Sequence, residues 1–332
     1  MTSETLESFE ASLDVDFCTW SVSVKIVLLD GGTSLELQNR SSNKAPLHWS
    51  AEYLMSEPDL VRQVHLDYIL AGAKVITVNS YSSTYTRMAM VGAADKVPEL
   101  QRIACELALR ARDMAGPAGA DVAIAGCIPP LNGTYRPDRV RAFKTNHDEY
   151  SRLGELQAPH VDIFICETMS TAEEARAAAA AMQPFGKAIW VGWSLMDNGP
   201  WLRSAESVAT AARALNGLRV DAVLANCCPP ESITASMPTL VATGFATGGY
   251  ANGFSAIPAT FLPGNTKEQL KSRRDLDPAA YSAFVLNWIE QGATIVGGCC
   301  EVGPAHIAHL RDELLAAGHE VVSPSGLAAA RG

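Results

Sequence analysis

The stretch DIFICETMSTAEEARAAAAAMQPFGKAIWVGWS (162–194) decides the fold. Ile163–Glu167 is a short run that is apolar on both faces, the signature of a strand buried in a parallel sheet. The segment 170–183 follows with strong helix formers and a start signal, because Ser170 or Thr171 can cap a helix with Glu173 or Glu174 behind it. A second apolar run, Ile189–Ser194, closes a βαβ unit.

The same rhythm recurs on both sides of this unit. Strand signals are read at Lys25–Leu29, Val75–Asn79, Val122–Gly126, Ile163–Glu167, Ile189–Ser194, Ala222–Asn226, Gly244–Gly249 and Thr294–Gly297. Helical segments lie between them, including 58–73 and 204–217, with Gly72 and Gly217 placed to end them. Eight strands alternating with helices over roughly 280 residues predict one α/β domain, a (β/α)8 TIM barrel, for which ~250 residues is typical. An open doubly wound sheet is the alternative that the pattern allows. The barrel is expected over residues 23–320, with 1–22 a loosely held extension and 321–332 a frayed tail.

Composition narrows the functional classes. The 332 residues carry 26 Lys plus Arg against 36 Asp plus Glu, a formal charge of −10 that disfavours nucleic acid or an anionic membrane as partner. Residues 1–17 are acidic and lack the basic n-region and apolar h-region of a secretory signal, and no apolar run is long enough to span a bilayer. A cytoplasmic location is expected. Eight cysteines in a reducing compartment then read as metal ligands, catalytic groups or core residues rather than as a disulfide framework.

Polar chemistry gathers where the strands end. Asp30 follows strand one, Asn79 and Tyr81 follow strand two, and Glu167 ends strand four; Asn226, Cys227 and Cys228 end strand six. Tyr250 and Asn252 belong to strand seven, and Cys299 and Cys300 follow Gly297 and Gly298 at strand eight. A barrel collects such strand ends on one rim. Cys299, Cys300 and Cys227 there would make a three-thiolate site with an open fourth position, the arrangement of catalytic zinc. Cys18, Cys105, Cys127 and Cys166 read as small core residues. Trp49 and Trp193 are candidate walls for a cationic ligand.

In their order, LLDGGTSLEL (28–37), LAGAKVITVNSYSST (70–84), DIFICETMSTAEEA (162–175), LANCCPPESI (224–233), GGYANG (248–253) and WIEQGATIVGGCCEVGPAHI (288–307) resemble the homocysteine S-methyltransferase family. The resemblance implies a zinc-dependent barrel enzyme with Zn2+ held by Cys227, Cys299 and Cys300, and Cys228 a bystander. It implies that Asp30 and Glu167 hold the amino group of homocysteine, that Tyr81 lies near the transferred methyl, and that Asn226 and Asn252 support the pocket. The substrates would be homocysteine and a sulfonium donor, S-methylmethionine or S-adenosylmethionine. Betaine, dimethylsulfoniopropionate or methyltetrahydrofolate are alternative donors to the same acceptor, and a zinc-binding or redox-sensing thiol protein is the non-enzyme alternative. Two departures stand out: Glu301 and Val302 replace the Gly-Thr common after the last cysteine pair, and the loop GCIPPLNGTYRP (126–137) differs on the donor side.

Overall fold

The computed structural model describes residues 23–42, 50–258 and 270–331. The extension expected over 1–22, Cys18, Trp49 and the middle of the loop after strand seven lie outside the described residues. Nine parallel strands form the sheet: β1 Lys25–Leu28, β2 Val75–Thr77, β3 Ala123–Ile128, β4 Ile163–Met169, β5 Ala188–Trp193, β6 Ala222–Asn226, β7 Ala246–Ala251, β8 Ile295–Gly298 and β9 Glu320–Val321. Their order is β2-β3-β4-β5-β6-β7-β8-β1-β9. A parallel bridge between Leu29 and Val75 joins β1 to β2 and closes the ring. The open doubly wound alternative is thereby excluded. All eight expected strands are present, with β7 displaced two residues toward the C-terminus because Gly244, at φ +80°, still belongs to the preceding turn.

The helices that wrap this barrel are α1 Thr33–Arg40, α2 Ser50–Ser56, α3 Pro58–Leu70, α4 Tyr85–Ala89, α5 Val97–Met114 and α6 Phe143–Gln157. They continue with α7 Ala172–Met182, α8 Val208–Ala214, α9 Pro230–Val241, α10 Pro278–Glu290, α11 Pro304–Ala316 and α12 Pro324–Arg331. The decisive βαβ unit folds as its sequence dictates. Thr171 Oγ1 accepts the Glu174 amide at 2.9 Å, while Glu174 Oε2 accepts the Ser170 amide at 2.9 Å, so the start of α7 is closed reciprocally.

Period-2 alternation divides the core in two. Ile26, Leu28, Phe164, Cys166, Val223 and Ala225 face outward into the layer shared with the helices. Val27, Leu29, Ile163, Ile165, Ala222 and Leu224 fill the barrel interior. Cys105, Cys166 and Cys228 are fully buried, as expected of core thiols, and Trp193 is buried in the outer layer rather than in a ligand wall.

The tail is a correction. Instead of fraying after residue 320, the chain adds β9 beside β1 and continues into α12, and Val322 and Leu327 join the interior cluster with Val27 and Ile295. Two apolar side chains withdrawn from water at the N-terminal end of β1 order a segment whose composition alone reads as an end.

Candidate active site

The C-terminal ends of the strands open into a cavity of about 450 Å³, lined by residues from seven of the eight barrel strand ends. A turn after β1 carries Asp30, Gly31 and Gly32. It lies flat against the turn after β8: the Gly32 amide donates to the Val302 carbonyl at 3.0 Å, and the Gly298 amide to the Asp30 carbonyl at 2.9 Å. A Cβ on Gly31 would sit 2.1 Å from the Val302 oxygen, and one on Gly32 2.6 Å from the Cys299 oxygen. Both glycines are therefore required for Asp30 and the Cys299–Cys300 pair to share one rim.

Cys227 leaves β6 in the left-handed region at φ +50°, a strained conformation for a non-glycine residue. That twist separates the two adjacent cysteines. Cys227 turns to the cavity, and Cys228 packs in the core as the bystander it was expected to be. The Cys227 sulfur lies 2.7 Å from Cys299 Sγ and 3.8 Å from Cys300 Sγ, with all three within 4.8 Å of one another. Two sulfurs sharing a tetrahedral zinc at ~2.3 Å are separated by about 3.8 Å, so the second distance already matches and the first needs a small opening. Among the described residues this is the one cluster of three metal-capable side chains. Donation from Cys299 and Cys300 holds the Cys227 thiol well below its ordinary range, while Cys299, as the donor to Cys227, is pushed up.

Asp30 and Glu167 line the same cavity as the sulfurs. Asp30 Oδ2 accepts the Thr77 amide at 2.8 Å, yet burial without a cation pushes its carboxyl up to about 8. Glu167 continues the inward series Ile163, Ile165 and is raised to about 7, again by burial. Thr168, at φ +61°, interrupts the register between β4 and β5 just past Glu167. Asn226 holds that kink, accepting the Thr168 amide at 2.8 Å and donating to Thr168 Oγ1 at 2.9 Å. Asn226 is thus behind the wall, and so is Asn252, whose Oδ1 accepts the Phe254 amide at 3.2 Å. Neither lines the cavity.

Tyr81 does line it, with its hydroxyl 2.9 Å from Thr134 Oγ1 and the Arg87 guanidinium 5.0 Å from its ring centre. Four further lining residues were not among the expected site residues. Thr77 orients Asp30; Arg87 covers Tyr81; Tyr135, at φ +62°, places its hydroxyl 3.0 Å from Cys227 Sγ. Cys127 is the fourth and corrects its reading as packing: its thiol donates to Glu167 Oε1 at 2.9 Å. Parity was the available signal, since Ala123, Ala125 and Cys127 alternate along β3 as Ile163, Ile165 and Glu167 do along β4.

Fold and rim together define a (β/α)8 barrel enzyme whose cavity is lined by a cluster of cysteine sulfurs and a pair of carboxyl groups. A sequence profile of the homocysteine S-methyltransferase family matches residues 27–314. The chain belongs to that family and is a methyltransferase. It is 29% identical over 308 residues to the homocysteine S-methyltransferase of Escherichia coli, covering 86% of this chain and 94% of that one. It is 26% identical over 311 residues to homocysteine S-methyltransferase YbgG of Bacillus subtilis, with 86% and 93% covered. The metallated form of the homocysteine methyltransferase MmuM from Escherichia coli superposes with a TM-score of 0.74 at 26% identity, covering 87% of this chain and 96% of that one.

Proposed function

We propose that this protein transfers a methyl group from a sulfonium donor, S-methylmethionine or S-adenosylmethionine, to the thiol of L-homocysteine, forming methionine. The observation that carries this reading is that one cavity is lined by the carboxyl groups of Asp30 and Glu167, both raised by burial, and by three clustered cysteine sulfurs. An amino acid with a thiol side chain complements that arrangement at both ends.

The donor set suits zinc, because all-sulfur coordination favours a soft or borderline ion and the sulfurs border an open cavity. A Zn2+ ion held by Cys227, Cys299 and Cys300 would supply a Lewis acid that lowers the proton affinity of a substrate thiol. The protein's own groups do the rest. Asp30 and Glu167 receive the α-ammonium, and their protons leave as it binds, since a cation between them reverses the cost of charging both. The Ser34 amide, in the first turn of α1 beside Asp30, would take the α-carboxylate. Thr77 and Cys127 fix the two carboxylates, and Asn226 fixes the kink that aims Glu167 inward.

Transfer is a displacement at carbon. A lone pair of the acceptor sulfur forms the new S–CH3 bond as the donor C–S+ bond breaks, its electron pair leaving on a neutral thioether; the thiol proton goes to solvent. The cavity's contribution is to hold both sulfurs in line with the methyl carbon. The substrates are small molecules, and the free thiols of the described cysteines fit a reducing cytoplasm.

The test is Cys299→Ala, followed by metal content and by methionine formation with a panel of donors. Loss of zinc together with at least a hundredfold fall in turnover is expected. Wild-type turnover by the zinc-free variant would falsify the mechanism.

A further inference from the structure

We propose that Arg87 and Arg139 form a subsite for a carboxylate carried by the methyl donor, so that the protein selects zwitterionic donors over donors bearing only positive charge. This rests on the methyl-transfer reading above.

Both arginines line the same cavity as Asp30 and Glu167. Arg87, half-buried, spends Nε and Nη2 on neutral oxygens: the Pro130 carbonyl at 3.2 and 2.8 Å, and Thr134 Oγ1 at 3.1 Å. Arg139 comes from the same loop, anchored where its carbonyl accepts Asn132 Nδ2 at 2.9 Å. Among the described residues neither guanidinium has an ion-pair partner. Their neighbours do: Arg136 pairs with Asp138 at 2.6 Å and Arg141 with Glu149 at 2.8 Å. In a chain of net charge −10, two unpaired cations on one wall of a concave site are a local reversal of the prevailing sign.

Carboxyl groups, thiols and two guanidinium groups therefore line one cavity. A half-buried guanidinium hydrogen-bonded only to neutral oxygens has lost hydration that a planar carboxylate restores through paired N–H donors. The acceptor does not need this wall, because its ammonium and carboxylate are met by Asp30, Glu167 and the start of α1. The donor does need it. A sulfonium entering beside Arg87 meets like charge, and a carboxylate on the same molecule cancels that repulsion and fixes which way the methyl points.

The experiment compares wild type with Arg139→Gln, whose side chain is exposed, using S-methylmethionine and its carboxyl methyl ester with homocysteine as acceptor. Wild type is expected to show a KM about tenfold higher for the ester, and Arg139→Gln about tenfold higher for S-methylmethionine with no further penalty for the ester. The kcat and the homocysteine KM stay within about twofold of wild type. A raised homocysteine KM with an unchanged donor KM assigns the carboxylate to the acceptor and overturns the proposal. Equal discrimination against the ester by both proteins also overturns it. If no sulfonium yields methionine, the methyl-transfer reading fails. Calorimetric titration of both compounds into both proteins then decides the subsite, and failure of wild type to prefer the free acid refutes it.

Discussion

Asp30→Asn separates what the site does for ligands from what it does to the fold. The Asp30 carboxyl is raised from 3.8 to about 8 by burial, against the opposing Thr77 amide bond. A group that holds its proton more tightly when folded stabilises the native state fully below about pH 4, and that contribution drains away as the pH climbs to about 8. Each tenfold change in proton affinity is worth about 1.4 kcal/mol, so between pH 6 and pH 9 the native state loses up to about 2.7 kcal/mol through this carboxyl. Water in the cavity screens the charge, and about 1–2 kcal/mol is the expected remainder. Asparagine is nearly isosteric, keeps an oxygen for the Thr77 amide and does not titrate. Urea unfolding of both proteins without substrate, at pH 6 and pH 9, measures the difference. Glu167, which titrates near 7, contributes to both curves and largely cancels. The variant should gain on wild type by about 1–2 kcal/mol more at pH 9 than at pH 6, while its homocysteine KM rises at least tenfold. A stability gap that is independent of pH would refute the reasoning.

Two further substitutions probe the fold around the site. Glu301 stands at φ +68° after Cys300, so Glu301→Gly should relieve left-handed strain and stabilise the protein by about 0.5–1 kcal/mol in urea unfolding; a loss of stability would mean that the side chain contributes more than the strain costs. Leu327, 6% exposed and packed into the interior cluster, should cost about 2–3 kcal/mol when changed to Ala, read as a lowered unfolding midpoint. An unchanged midpoint would show that α12 does not plug the barrel.

How much was legible depended on the range of the interaction that fixes each feature. Strand and helix alternation is local, so the 162–194 unit and the six further strand signals could be read from apolar runs and caps. The count favoured a ring over an open sheet, and the Leu29–Val75 bridge decided it. Cys227, Cys299, Cys300, Asp30 and Glu167 were visible because a barrel sends every strand end to one rim. The family resemblance then selected among them.

Features set by long-range contact were not legible. Cys127 was indistinguishable from Cys166 in composition, since both are buried cysteines in β-strands, until the barrel placed one on the cavity beside Glu167 and kept the other off it. Asn226 and Asn252 followed the strand signals but turned behind the wall, because amides satisfy buried backbone groups as readily as ligands. Tyr135 sits in a loop and Arg87 in the five-residue helix α4, and the placement of both segments depends on what they meet. The tail at 321–332 read as an end because Val322 and Leu327 gain nothing until an open barrel mouth is available to cover.

By itself, then, the sequence determined the barrel, its strand ends and the residue types that gather there, because these depend on periodicity and on parallel strands sharing one direction. Tertiary structure alone decided which side chains line the cavity, that Asp30 and Glu167 are raised by burial there, and that Arg87 and Arg139 line it with no ion-pair partner among the described residues. Burial, charge and distance exist only between residues that the folded chain brings together.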